Sequence, residues 1–97
     1  MIKHIVCFKL KDPTPSLLEK TKEILLSMNG NVPTAKSVEV GIDLLHSSRS
    51  YDVILQVALE DMNALDEYQK DEYHCGVVKK HMHAVAETSV AIDYNIE

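Results

Sequence analysis

Cysteine is scarce in this chain: Cys7 and Cys75 stand far apart and form no Cys-x-x-Cys unit. That count excludes an iron–sulfur cluster and a four-cysteine zinc site. One bridge is the most it allows, and two semi-buried thiols in a reduced, cytoplasmic protein are expected instead. Long apolar runs are also missing, and none approaches the roughly 20 residues of a membrane span. The opening "MIKHIVCFKL" is apolar but alternating, and His4 and Lys9 interrupt it, so it makes a poor signal peptide. Basic charge is neither abundant nor clustered. Ten Lys and Arg face 15 Asp and Glu, the net charge is −5, and the only basic doublet is Lys79-Lys80. Phosphate binding needs clustered cations, so no nucleic-acid partner is expected. There is no internal repeat, low-complexity segment or long linker. With 97 residues, residues 1–97 form a single domain, because a second core could not be buried in what remains.

What is present is an ordered alternation of strand and helix patterns. Ile2 to Leu10 has period 2, with Ile2, His4, Val6, Phe8 and Leu10 on one face. Thr14 is a candidate N-cap and Pro15 suits the first helical position. Leu17, Leu18, Thr21, Ile24, Leu25 and Met28 follow at helical spacing, and Asn29-Gly30-Asn31 closes the helix. A second strand is expected over Ser37–Leu45, with Gly41 at a bulge or a close backbone approach. A third spans Tyr51–Glu60. Asp61 caps a short helix carrying Met62, Leu65 and Tyr68, a further helix runs from Asp71 to Ala86, and a last strand from Thr88 to Ile96.

The order β-α-β-β-α-β is the ferredoxin-like plan, an α+β sandwich with both helices on one face of an antiparallel sheet. One sheet face should then be wet. The third strand nevertheless carries Val53, Leu55, Val57 and Leu59 on one side and Ile54 and Ala58 on the other. The last strand has Val90, Ile92, Tyr94 and Ile96 on one side, with Ala91 opposite. Apolar residues on both faces call for a second cover, and a second copy of the chain supplies it across a two-fold axis. A homodimer through the helix-free face is therefore expected.

The stretch "DEYHCGVVKKHMH" concentrates polar chemistry. Two helix-borne metal ligands need a spacing of three or four. His74 and His81 are seven apart, roughly 10 Å along a helix axis. His81 and His83 point to nearly opposite sides, and His74 and Cys75 diverge. No metal site is expected, and His81 and His83 read as residues of a partly solvated helix end. Gly76 is assigned to a close helix–sheet approach. His4 shares its strand face with Val6 and Phe8, and the last strand, its sheet neighbour, brings a polar residue such as Asp93 near it. A histidine, Tyr68 and a carboxylate converging on an apolar pocket would make an acid–base constellation. Singly, each also has a plain reading: His4 as a satisfied semi-buried histidine, Tyr68 as a core-edge aromatic, Asp93 as a solvated strand residue.

Three segments, "KHIVCFKLKD", "YDVILQVALEDMNALDEYQ" and "EYHCGVVKKHMHAVAETSVAIDY", together resemble the stress-responsive alpha/beta-barrel domain family, often called Dabb. The most specific elements are the Lys3-His4 pair, the spaced Tyr68 and His74, and the terminal Asp93-Tyr94. The resemblance covers essentially the whole chain. It implies a small ferredoxin-like protomer whose dimer forms a dimeric alpha/beta barrel. One member type, the plant olivetolic acid cyclase, is a polyketide cyclase. By that resemblance His74 is the catalytic base, Asp93 the aspartate that supports it, Tyr68 the hydrogen-bond donor to a carbonyl or enolate, and His4 a further pocket histidine. The implied reaction is an intramolecular aldol condensation without metal or cofactor. Where many members carry His-Pro, this chain has Asp71-Glu72. Asp71 would then cap the helix, and two carboxylates at the pocket mouth would disfavour an acidic ligand.

Three functional readings follow. The first is a stress-responsive-type dimer with a small-molecule pocket for an apolar or carbonyl ligand, lined by His4, Val6, Phe8, Leu25, Met28, Leu55, Tyr68, His74 and Val78. The second is an acid–base enzyme using His74, Tyr68 and Asp93. The third is a structural oligomer whose histidines only fill space.

Overall fold

The computed structural model describes residues 1–96; Glu97, the last residue of the expected domain, lies outside them. The described elements run β1 (Ile2–Leu10), α1 (Pro15–Leu26), β2 (Ser37–Ile42), β3 (Val53–Leu59), α2 (Met62–Lys70), a π-helical turn (His74–Lys79), α3 (Lys80–Val85) and β4 (Ala86–Asn95). The strands form one antiparallel sheet in the order β2-β3-β1-β4. This is the expected ferredoxin-like plan, with the chain's two ends side by side in β1 and β4.

The period-2 pattern of β1 and β3 turns one set of side chains into the core. Val53, Leu55, Val57 and Leu59 are buried there with Leu18 and Leu25 of α1, Leu65 and Tyr68 of α2, and Val78 and Met82 beyond. Burial of a side chain of this size contributes about 1.5–3 kcal/mol, so this face dominates the stability of the fold. On the other face, Val90, Ile92 and Tyr94 of β4 stay 49%, 62% and 44% exposed in the single chain. No helix among the described residues is long and apolar enough to cross a membrane.

Thr14 Oγ1 accepts from the Leu17 N–H at 3.3 Å, Pro15 opens α1, and Gly30 takes φ +83° in the turn after it. At Gly41 a Cβ would lie 3.1 Å from Ile54 Cγ2 on the neighbouring strand, a close approach without a bulge. β2 stops at Ile42, short of Leu45. The Asp43 carboxylate accepts from the His46 N–H at 2.7 Å and closes a turn that leaves Leu44 and Leu45 in water. β3 begins at Val53 because Asp52 is held to the end of β1, its N–H donating to Phe8 O and its carboxylate accepting from the Leu10 N–H, both at 2.8 Å.

The largest departure lies after Asp71. Asp71 does cap the helix, its Oδ1 accepting from the His74 N–H at 3.0 Å. The helix then winds as a π-helix over His74–Lys79 before becoming α-helical. In an α-helix, at 100° per residue, positions five apart differ by about 140°. Bonding from i to i+5 stacks them instead. His74 and Lys79 are thereby brought towards one face. Gly76 is exposed in this turn, and a Cβ at that position would meet nothing within 4 Å, so the expected helix–sheet approach is not there.

Candidate functional site

The site grows from the pairing of the two terminal strands. Antiparallel register sets His4 opposite Asp93, and the His4 Nδ1–H donates to Asp93 Oδ1 at 2.5 Å. The imidazole is buried, while the carboxylate side chain keeps 33% exposure. A proton committed at Nδ1 leaves the neutral ring with its lone pair on Nε2. Asp93 therefore fixes the tautomer of His4. The resemblance assigns this carboxylate to His74, and the structure bonds it to His4 instead.

The last turn of α2 delivers Tyr68, fully buried, between the two histidines. Its ring meets His4 edge-on at 5.5 Å and stacks on His74 at 4.3 Å. Its hydroxyl donates to Met28 Sδ at 3.6 Å. Burial, with the Asp71 carboxylate adding to it, raises the phenol well above its ordinary range. The tyrosine is thus a neutral spacer whose hydroxyl is directed at Met28, which differs from the carbonyl-binding role that the resemblance implies.

His74 is buried, and its Nδ1 has no hydrogen-bond partner among the described residues. Burial lowers its pKa to about 4, and the Lys79 ammonium and His4 push the same way against the Tyr68 backbone and Asp71. At neutral pH it is an uncharged imidazole.

His4, Tyr68 and His74 face a cleft of about 300 Å³ between sheet and helices. Val6, Phe8, Leu25, Leu55, Val78 and Met82 form its apolar walls, and Gln69, Lys79, His83 and Ser89 add polar groups. Of the expected lining residues, Met28 is the exception. It is fully buried and lies behind the Tyr68 hydroxyl rather than on the cleft wall. The two carboxylates expected at the mouth do not line it either. Asp71 is spent on its cap and Glu72 is exposed. Among the described residues, no three His, Cys, Asp or Glu side chains gather as a metal centre.

The sequence reading missed Gln69, Met82, His83 and Ser89 of the lining, and two further residues, His81 and Lys79. His81 is half-buried, as a partly solvated helix end allows, but it has a specific partner: its Nε2 is 2.9 Å from Oγ1 of the fully buried Thr21. Burial, with Lys20 adding to it, holds its pKa below the ordinary range. The signal was in α1, where a threonine in an apolar stripe needs a polar partner from another element. Lys79 lines the cleft and donates to Gln69 O at 3.0 Å. An α-helical wheel turns it away from His74, so only the π turn reveals it.

The family described as the stress-responsive A/B barrel domain, Dabb, matches residues 2–96. A Dabb-family protein of ferredoxin-like fold from Mesorhizobium loti is 22% identical with a TM-score of 0.75, covering 99% of this chain and 96% of its own. A dimeric ferredoxin-like protein from Thermobifida fusca is 23% identical with a TM-score of 0.84, over 98% of this chain and 90% of its own. The hydroxynitrile lyase of Passiflora edulis is 14% identical with a TM-score of 0.82, over 99% and 93%. At these identities the likeness is one of fold. Among curated proteins, none matches the chain by sequence.

Proposed function

The chain belongs to the stress-responsive A/B barrel domain family, and from that premise we propose that it is a homodimer whose sheet–helix cleft binds a small, largely apolar carbonyl compound. One observation carries this reading: an aspartate-held His4 and an uncharged, buried His74 line the same apolar cleft on either side of Tyr68. Concave, mostly apolar sites with a few convergent polar groups are what small ligands require. The dimer would form through the helix-free face, where Val90, Ile92 and Tyr94 are exposed, as the dimeric structural relatives suggest.

The His4–Asp93 pair favours a second reading, an acid–base enzyme of the polyketide-cyclase kind. His4 Nε2 would take a proton from the carbon beside the carbonyl. The C–H electron pair becomes the enolate double bond, and the carbonyl π pair moves onto oxygen. A neutral His74 would donate a hydrogen bond to that oxygen, which the Met28-bonded Tyr68 could not do without turning its hydroxyl. The base is then His4, and His74 the electrophilic partner.

Native mass spectrometry of the purified protein tests the binding reading, since it reports stoichiometry and any retained small molecule together. Only monomer by sedimentation at micromolar concentration would overturn the dimer. For the enzyme reading, proton–deuterium exchange at the α-carbon of 2-nonanone in D2O is followed by NMR. The wild type should accelerate exchange, and His4→Ala and His74→Ala should each remove the acceleration. Undiminished exchange in folded His4→Ala would rule out the assigned base.

A further inference from the structure

We infer that the cleft is built for a monocarboxylate amphiphile, whose acid head pairs with Lys79 at the mouth and whose apolar body lies against Val6, Phe8, Leu55 and Val78. This rests on the cleft being the ligand site proposed above, and it names the class of ligand.

The first support is charge. The described residues lining the cleft include a half-buried lysine and no aspartate or glutamate. The nearby carboxylates keep their charge but lie off the lining, Asp93 held by His4 and Asp71 by the His74 N–H. The chain as a whole carries −5, so a lysine in a lining free of carboxylates is a local feature and not a general property of the surface.

The second support is geometry. Lys79 Nζ donates to Gln69 O at 3.0 Å, at the C-terminal end of α2. An ammonium has three N–H groups, so two remain for a ligand while the third holds the group in place. The π turn is what brings this side chain round to the His74 face. A ligand that fills the cleft covers Lys79 and strips water from it. Covering an ammonium without a counter-charge is costly, whereas a carboxylate satisfies both remaining donors. One lysine and apolar walls suit one negative charge on an otherwise apolar body.

The consequence reaches His74. Its ring faces Tyr68 from α2, His4 from β1, Asp71 at its own cap and Lys79 five residues on, and His83 also lines the cleft. Lys79 is among the groups that keep it uncharged. A carboxylate paired with Lys79 offsets that influence, so binding should make His74 easier to protonate.

The test is calorimetric titration of the intact protein at low salt with octanoate and with 2-nonanone, a neutral ligand of similar length. Octanoate should bind at least about tenfold more tightly. Lys79→Met should abolish that preference, Lys79→Arg should retain it, and Lys80→Met, on an exposed neighbour, should leave it unchanged. In the wild type the His74 ring-proton titration in NMR should move upward with octanoate and not with 2-nonanone. Equal affinity for the two ligands, or a preference that survives Lys79→Met, overturns the inference and leaves the cleft as a site for neutral carbonyl compounds. If neither ligand binds the folded protein, the cleft reading falls and this inference with it.

Discussion

α1 and the helical segment after Asp71 both send side chains into the one core, Leu18 and Leu25 from the first and Val78 and Met82 from the second, yet only one of them follows its sequence pattern. In α1 the cap, the first-turn proline and the apolar stripe all agree with a regular helix. In the later segment an aspartate caps the start equally well, but the hydrogen bonds then switch to i+5 and the face presented to the cleft changes. Periodicity states which residues want burial. It does not state the hydrogen-bond register that delivers them, and His74 and Lys79 sit where that register changed.

Removing bulk from α1 should show how much of the fold rests on the regular helix. Leu25 is completely buried, and Leu25→Ala should cost about 3 kcal/mol, read as a lower urea midpoint at fixed protein concentration. A loss under about 1 kcal/mol would mean that the core collapses around the cavity.

Acid should act on the other side of the comparison. Folded His74 has a pKa of about 4, against about 6.5 in an unfolded chain. Between those values the unfolded chain binds more protons, so stability is full above pH 6.5 and falls as pH drops towards 4, by at most roughly 3 kcal/mol. His81 shifts in the same direction and adds to the loss. His74→Gln should flatten most of this dependence in thermal melts taken from pH 7 to pH 4. An unchanged slope would assign the effect to other groups.

The caps offer a smaller contrast. Asp71→Ala removes the acceptor for the His74 N–H and should cost about 1 kcal/mol, similar to Thr14→Ala in α1. Asp71→Ala should also disturb the His74 ring resonances, whereas Thr14→Ala should not. Equal, silent spectra would show that the π turn keeps its place without the cap.

The smallest effect has the opposite sign. Gly76 is exposed with open space around its missing Cβ, so Gly76→Ala should stabilise by about 0.5–1 kcal/mol through helix propensity. Destabilisation in the same urea titration would restore the reading of a tight helix–sheet contact.

Much of this molecule is determined by its sequence alone. Period 2 over Ile2–Leu10 and Val53–Leu59 and the capped stripe of α1 specify the β-α-β-β-α-β order, because strand and helix periods sort side chains onto faces before any tertiary contact forms. The same patterns put His4, Val6 and Phe8 on one strand face and mark β4 as apolar on its outer side. Tertiary structure decided the partners. The sheet order already brought Asp93 near His4, and the register of β1 against β4 closed that bond where the resemblance had implied His74. The depth of Tyr68 turned its hydroxyl to Met28, and a buried Thr21 drew in His81. The i+5 bonding of one helical turn brought Lys79 to the cleft. Each of these depends on distances between segments far apart in the chain, or on a hydrogen-bond choice between near-equal registers, and neither is written in local periodicity.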